Sequence, residues 1–294
     1  MCQSRLISEF HSRSCANSSP MNISFLSGVS ICQACSAPAA DAGSVPPKPT
    51  TWSTGVWSTA CEYDTDAVPE LSGLAPSVRH KGVLWAINDS GNDPVLYAID
   101  ASDCRIKGRH TLTSPNTDWE ALASGRNAAG QPVLWVGDIG DNLAARSSVA
   151  VLEVPEPDLG VTSGSALIHR YTYPGGPRDA EALMADRDGS HLFVIAKSAS
   201  GPMYRIRVTT KKVRARKLTT TVPFATDAAS SNRGYAIRDY VAITGYRAPI
   251  PGSRIGRSSP PLLRQSEALA FSRSGDWLYT ASEGDARLLR APVR

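Results

Sequence analysis

The chain has 294 residues and 41% hydrophobic content, which is enough for one large domain or two smaller ones. Its net charge of +4 is modest and no nucleic-acid-binding motif occurs, so we expect no nucleic-acid partner. No apolar run reaches the roughly 18 residues of a membrane helix, so we expect no membrane span.

Residues 1–50 differ from the rest and are predicted to form a disordered N-terminal segment. An apolar run at 23–31 and small residues at 34–40 are typical of a weak secretion signal, although a start codon assigned too far upstream is an alternative. The proline-rich residues 45–49 are typical of a linker. Cys32 and Cys35 have CxxC spacing, but no second pair accompanies them, which argues against zinc. We expect a secreted or cell-envelope protein.

Residues 51–294 contain a repeat and are predicted to form one domain. Each copy places an acid before small and apolar residues, and an aromatic-bearing apolar run follows. Four copies start at Glu70, Glu120, Glu181 and Glu267, and Asp227 is a weaker copy ahead of residues 240–244. The steps of 40–61 residues suit four-stranded propeller blades of about 40–50 residues, which bury their faces only by stacking. We predict an all-β propeller of five blades; a sixth, degenerate blade within the longest step is the alternative.

The two ends of the domain are predicted to meet. The last copy has room for three strands, so a strand within residues 52–60 is expected to complete its sheet and close the ring. Cys61 and Cys104 bracket the first unit. They are interpreted as a disulfide between the closing segment and the first blade, with free buried thiols as the alternative.

The repeated acids are the main candidates for function. The first strand of each propeller blade lines the central channel, so we expect Glu70, Glu120, Glu181, Asp227 and Glu267 to converge on one axis. Crowded carboxylates repel one another unless a cation neutralises them. The oxygen ligands favour Ca²⁺, and the lack of clustered His and Cys argues against zinc or copper. Two alternatives remain: the acids accept backbone hydrogen bonds from the next blade, or they act directly in acid–base catalysis.

A second set of candidates follows the predicted second strands. Residues 88–94 and 137–142 are rich in Asp, Asn and Gly, which adds Asp89, Asp138 and Asp141 to the predicted metal ligands. Lys197 and Arg247 occupy matching places and are expected to orient an anionic substrate group. The alternative is that these residues only shape turns.

These motifs carry a resemblance. With the Glu-Ala-Leu copies, the turns at 88–91 and 138–142 and the segment 178–182, residues 60–294 resemble secreted actinobacterial β-propeller proteins of the phytase-like esterase type. More broadly, the chain resembles calcium-containing propeller lactonases and phytases, which implies a metal in the channel. The fourth unit is short, and Ser266 stands where such proteins usually have Gly.

The sequence therefore predicts an exported propeller with a divalent cation, Ca²⁺, at the channel. The predicted activity is metal-assisted hydrolysis of an ester or a phosphoester. The predicted partner is a small anionic or ester substrate. The predicted catalytic residues are Glu120, Asp138, Glu181, Lys197 and Arg247. The predicted metal ligands are Glu70, Asp89, Glu120, Asp138, Asp141, Glu181, Asp227 and Glu267. The alternative is a non-catalytic extracellular binding or scaffold module.

Overall fold

A computed structural model describes residues 51–294, which contain strands and no helix. The N-terminal segment, with its predicted signal, linker and CxxC pair, lies outside the described residues. The strands are β1 Ser58–Glu62, β2 Leu71–Pro76, β3 Val83–Asn88, β4 Val95–Asp100, β5 Ile106–Leu112, β6 Trp119–Arg126, β7 Pro132–Asp138, β8 Val149–Pro155, β9 Ser163–Gly164, β10 Leu167–Thr172, β11 Ala180–Ala185, β12 His191–Ala196, β13 Pro202–Arg207, β14 Val213–Arg214, β15 Arg216–Thr220, β16 Asp227–Ser230, β17 Tyr235–Arg238, β18 Ile243–Tyr246, β19 Arg254–Ser258, β20 Ala268–Phe271, β21 Trp277–Ser282 and β22 Asp285–Pro292. In residues 51–294 nothing offers the long apolar helix that would be needed to cross a bilayer.

The strands form five sheets, each of which is one blade. From the channel outward their orders are β2-β3-β4-β5, β6-β7-β8-β10, β11-β12-β13-β15, β16-β17-β18-β19 and β20-β21-β22-β1. The two-residue strands β9 and β14 add parallel edges to the first and second sheets. The innermost strands β2, β6, β11, β16 and β20 are neighbours around the ring. This confirms the five-bladed propeller. The longest repeat step, from Glu120 to Glu181, contains the short strand β9, which pairs with the first sheet. Among the described residues it contains no sixth blade.

An N-terminal strand closes the ring, as predicted. Strand β1 pairs antiparallel with β22 over Ser58–Glu62, and Thr54, also within the predicted residues 52–60, forms an antiparallel bridge with Val293. Trp52 lies elsewhere: its backbone N–H donates to Ile255 O at 3.1 Å, and its ring lies against Gly245 of the fourth blade. A Cβ on Gly245 would come within 2.3 Å of that ring, so only glycine fits there.

The small residues of the repeat let the inner strands pack closely. Gly73, Ala121, Ala182, Ala228 and Ala268 occupy the same register position of their strands. A Cβ on Gly73 would lie 2.7 Å from the backbone nitrogen of Leu122 in the next blade. Larger side chains at these positions would push the blades apart.

The aromatic residues of the repeat fill the space between blades. Trp85 and Trp135 hold equivalent positions on the second strands of the first two blades, and both are buried in clusters that span neighbouring sheets. The indole N–H of Trp85 donates to Glu156 Oε1 at 3.0 Å. The carboxylate of Glu156, which is 2% exposed, also accepts from the backbone N–H groups of Val78 and Arg79. This carboxylate links the second blade to the first.

The predicted disulfide is present between Cys61 and Cys104, with Cα atoms 5.6 Å apart. It joins the closing strand of the fifth blade to the turn before β5 in the first. The loop spans 43 residues, for which the chain-entropy model gives about 4 kcal/mol of stabilisation. The covalent bond therefore secures the point where the ring closes.

Candidate functional site at the channel mouth

The N-terminal ends of the inner strands meet at one end of the channel, which we call the channel mouth. Three backbone hydrogen bonds repeat there. The N–H groups of Asp89, Ile139 and Lys197 donate to the carbonyls of Glu70, Asp118 and Asp179, at 2.8, 3.1 and 3.0 Å. These bonds fix which residues of the first three blades are equivalent.

In the first blade, the residues that the structure makes equivalent differ from those that the repeat matched in the sequence. Glu120 and Glu181 each sit at a β-bulge one residue before the small residue of the inner strand, and Ser72 holds this position in the first blade. Glu70 lies two residues earlier and is equivalent to Asp118 and Asp179. In the two remaining blades the residues preceding the small residue are Asp227 and Glu267. The acids of the repeat therefore form two tiers. The inner tier directly precedes the small residue and contains Glu120, Glu181, Asp227 and Glu267; the outer tier contains Glu70, Asp118 and Asp179.

Asp118 and Asp179 received no predicted role, although both belong to the site. An Asp-x-Glu pattern in two successive copies, at 118–120 and at 179–181, is the signal that identifies the outer tier. The carboxylates of the first pair, Asp118 and Glu120, lie within 4.8 Å of each other.

Three carboxylates form the tightest cluster. Asp89, Asp118 and Glu120 each offer an oxygen, and these atoms lie within 4.8 Å of one another. Gly140 provides the space: a Cβ there would be 2.5 Å from the Asp118 carboxylate and 2.6 Å from Glu120 Oε1. We call these three acids the carboxylate triad. Their oxygens are spaced so that a hard cation could bind between them.

The electrostatics of the mouth show how crowded these charges are. Burial, followed by the charges of Glu181 and Asp89, raises the pKa of Glu120 to about 10. Burial, with the charge of Glu181 next in size, raises the pKa of Glu267 to about 8. Burial likewise raises the pKa of Asp118 above its usual value. Without a cation, Glu120 and Glu267 therefore retain protons at neutral pH.

Glu181 is paired on one oxygen only. Its Oε1 accepts a hydrogen bond from Lys197 Nζ, while Oε2 is buried and has no partner among the described residues. Burial raises the pKa of Glu181 to about 7, and Lys197 opposes this rise. An unsatisfied oxygen on a carboxylate that is 4% exposed can still accept a hydrogen bond or bind a cation.

Asp227 plays a different part from the other repeated acids. It is fully buried, and its two oxygens accept from the backbone N–H groups of Ala228 and Leu269 at 2.7 and 2.6 Å. Leu269 belongs to the fifth blade, so Asp227 holds the fourth and fifth blades together. This is the backbone-bonding alternative of the sequence analysis, realised in one blade.

Asp138 and Asp141 lie at the mouth end of the second blade but outside the triad. Asp138 Oδ1 accepts from Arg146 Nη2 at 2.7 Å. The carboxylate of Asp141 accepts from the backbone N–H groups of Ala145 and Arg146 at 2.8 and 3.0 Å. The two predicted ligands instead fix the loop that carries Arg146.

Arg247 is not brought to the channel mouth. The sequence placed it after a second strand at residues 240–244, but the second strand of the fourth blade is β17, Tyr235–Arg238. Arg247 follows the third strand, β18, and so lies at the opposite end of the blade. The corresponding residues at the mouth are Arg238 and Asp239.

Glu70, at the mouth, accepts from Asn92 Nδ2 at 2.5 Å.

No protein-family model matches the chain, and no curated protein matches it in sequence. In structure it is similar to a gluconolactonase from Xanthomonas campestris, with 13% identity, coverage of 76% of this chain and 72% of that one, and a TM-score of 0.50. It is also similar to the glutaminyl cyclase of Myxococcus xanthus, with 9% identity, coverage of 83% and 98%, and a TM-score of 0.49. At such low identity the similarity to the gluconolactonase shows the propeller fold alone, and the phytase-like resemblance stays a prediction.

Proposed function

We propose that this protein is an exported, metal-dependent hydrolase of small esters or phosphoesters that binds Ca²⁺ at the carboxylate triad. The observation that carries the proposal is the convergence of Asp89, Asp118 and Glu120 within 4.8 Å, with the free oxygen of Glu181 at the same mouth. Acids from three blades contribute, so the arrangement exists only in the folded ring.

The donor set fits a hard cation. All three triad members offer carboxylate oxygens, and no His or Cys is among them. Ca²⁺ accepts about 6–8 oxygen ligands in irregular geometry, whereas Mg²⁺ demands a regular octahedron. Repulsion between Glu120, Glu181 and Asp89 gives the cation a further role, since a positive charge would lower the pKa of all three.

The protein's own residues divide the remaining work. Asp89, Asp118 and Glu120 would hold the ion, which when bound supplies polarisation of the substrate and of a water. Glu181 is the candidate general base, because Lys197 fixes one of its oxygens and leaves Oε2 free to accept a proton. Lys197 also lies 5.5 Å from the ring centroid of Tyr240, which confines it to the mouth.

A non-catalytic binding module remains the second candidate, and Asp227 is the observation that favours it. That acid serves only to join two blades through backbone hydrogen bonds. In a module, a cation at the triad would do the same for the first two blades, and no substrate would be turned over.

Hydrolysis of p-nitrophenyl acetate and p-nitrophenyl phosphate separates the two candidates. With calcium present, we expect turnover by the wild type and a loss of about 100-fold or more in kcat/KM for Glu181→Gln and Glu120→Gln. Glu62→Gln is the matched control, because it makes the same chemical change on an exposed residue of β1 and should leave turnover unchanged. Equal rates in all four proteins, or no turnover of either substrate, would support the module.

Export is supported by the disulfide, since such bonds persist in oxidising compartments. Expression of the full chain with analysis of the culture medium would test it. Recovery only of protein with reduced Cys61 and Cys104 from inside the cells would contradict it.

A further inference from the structure

A second feature of the mouth lies between the second and third blades. It is a cavity of about 110 Å³ whose lining, within residues 51–294, includes two arginines and no acid. Residues 146–149 before and at the start of β8, the end of β10 and residues 176–178 before β11 form its walls. We propose that this cavity binds one anionic group of the substrate, a carboxylate or a phosphate. The assignment of that ligand as a substrate rests on the proposed function.

Arg178 is the principal candidate ligand for the anion. Its guanidinium lies 6.0 Å from the ring centroid of Tyr204, which restricts its orientation. Its Nε is buried and has no hydrogen-bond partner among the described residues. A planar guanidinium with free donors in a cavity without carboxylates matches the geometry of a bound carboxylate or phosphate.

Arg146 also lines the cavity, and three hydrogen bonds restrain it. Its Nη1 donates to Gly140 O and its Nη2 to Asp138 Oδ1, both at 2.7 Å, and Asp141 binds its backbone N–H. These contacts use part of the guanidinium and leave other N–H groups for a ligand. Asp138 and Asp141 are thus positioning residues for Arg146.

Two tyrosines add a neutral donor. The hydroxyls of Tyr171 and Tyr173 lie 2.9 Å apart, so one donates to the other and the second O–H is free. Both residues line the cavity, and burial raises the pKa of each above its usual value, so both keep their protons.

The cavity and the carboxylate triad share a wall. Arg146 binds the carbonyl of Gly140, whose Cα faces Asp118 and Glu120. The backbone N–H of Asp141 donates to Asp179 Oδ1 at 3.0 Å, and Asp179 directly follows Arg178. An anion in the cavity would place the adjoining part of the same small molecule toward the triad. The substrate class inferred is a small ester or phosphoester that carries a second anionic group a few bonds from the scissile one.

The test is titration calorimetry of inorganic phosphate and, separately, of acetate into the full chain without added calcium. We expect at least one anion to bind the wild type, and Arg178→Gln to weaken that binding by about tenfold or more. Arg216→Gln, which removes the same charge from the exposed strand β15, should bind as the wild type does. The anion with the higher affinity identifies the group.

Further variants separate this inference from the proposed function. Glu120→Gln should keep anion binding while losing hydrolysis, and Arg178→Lys, which keeps the charge, should recover part of the affinity if Arg178→Gln folds poorly. Anion binding by a wild type that shows no hydrolysis would support the anion site and contradict the proposed hydrolase activity. No binding of either anion to the wild type, or equal binding by Arg178→Gln, would overturn the inference.

Discussion

Calcium is expected to raise the melting temperature of chelator-treated protein by about 5–10 °C when it is present at about a hundredfold excess over its dissociation constant. Such an excess stabilises the folded state by about 2.7 kcal/mol, and each kcal/mol shifts a domain of this size by about 2–4 °C. The stabilisation arises because the cation binds carboxylates that exist as a cluster only in the folded ring.

The variant Glu120→Gln sharpens this expectation. Without a cation the pKa of Glu120 is about 10, so the side chain is protonated at neutral pH and Gln is its close isostere. The variant should therefore melt near the chelator-treated wild type and should not respond to calcium. Glu62→Gln should respond as the wild type does. A calcium shift of equal size in Glu120→Gln would place the cation elsewhere.

Without a cation, the free energy of unfolding is expected to fall as the pH rises from about 5.5 to 7.5. Glu120, Glu181 and Glu267 have folded-state pKa values of about 10, 7 and 8, all above the unfolded value of 4.5. Between those values the folded state binds more protons than the unfolded state, so raising the pH favours unfolding. One retained proton corresponds to about 1.4 kcal/mol per pH unit.

Denaturant unfolding in a chelating buffer at several pH values measures this slope. Glu120→Gln and Glu267→Gln should each make it shallower by on the order of 1 kcal/mol per pH unit, because each removes one such proton. Calcium should flatten or reverse it, because cation binding requires the ionised carboxylates. A slope that neither variant changes would mean that the mouth acids do not titrate as a crowded group.

The position of two acids at the channel mouth is encoded locally. Glu120 and Glu181 stand immediately before small residues that the inner strands need for close packing, so the repeat alone aligns them. The same argument failed for Glu70, because this residue stands three positions before Gly73 rather than one, and Ser72 holds the equivalent position at the bulge. A match on one acid and the apolar residues after it does not fix the register of an inner strand.

Residues whose position depends on distant partners could not be predicted. Asp138 is the last residue of a second strand and Asp141 follows it, but Arg146 and the loop backbone bind their oxygens. Arg247 was misplaced because the second strand of the fourth blade has only four residues. A stronger apolar run at residues 240–244 covers a turn and the start of the third strand instead.

The most direct test of this account is calorimetric titration of calcium into chelator-treated wild type, Asp118→Asn and Glu62→Gln. If the triad holds the cation, the wild type and Glu62→Gln will bind one high-affinity ion, and Asp118→Asn will bind it at least about tenfold more weakly. Saturable binding of equal affinity in all three proteins, or no binding in any, would contradict it.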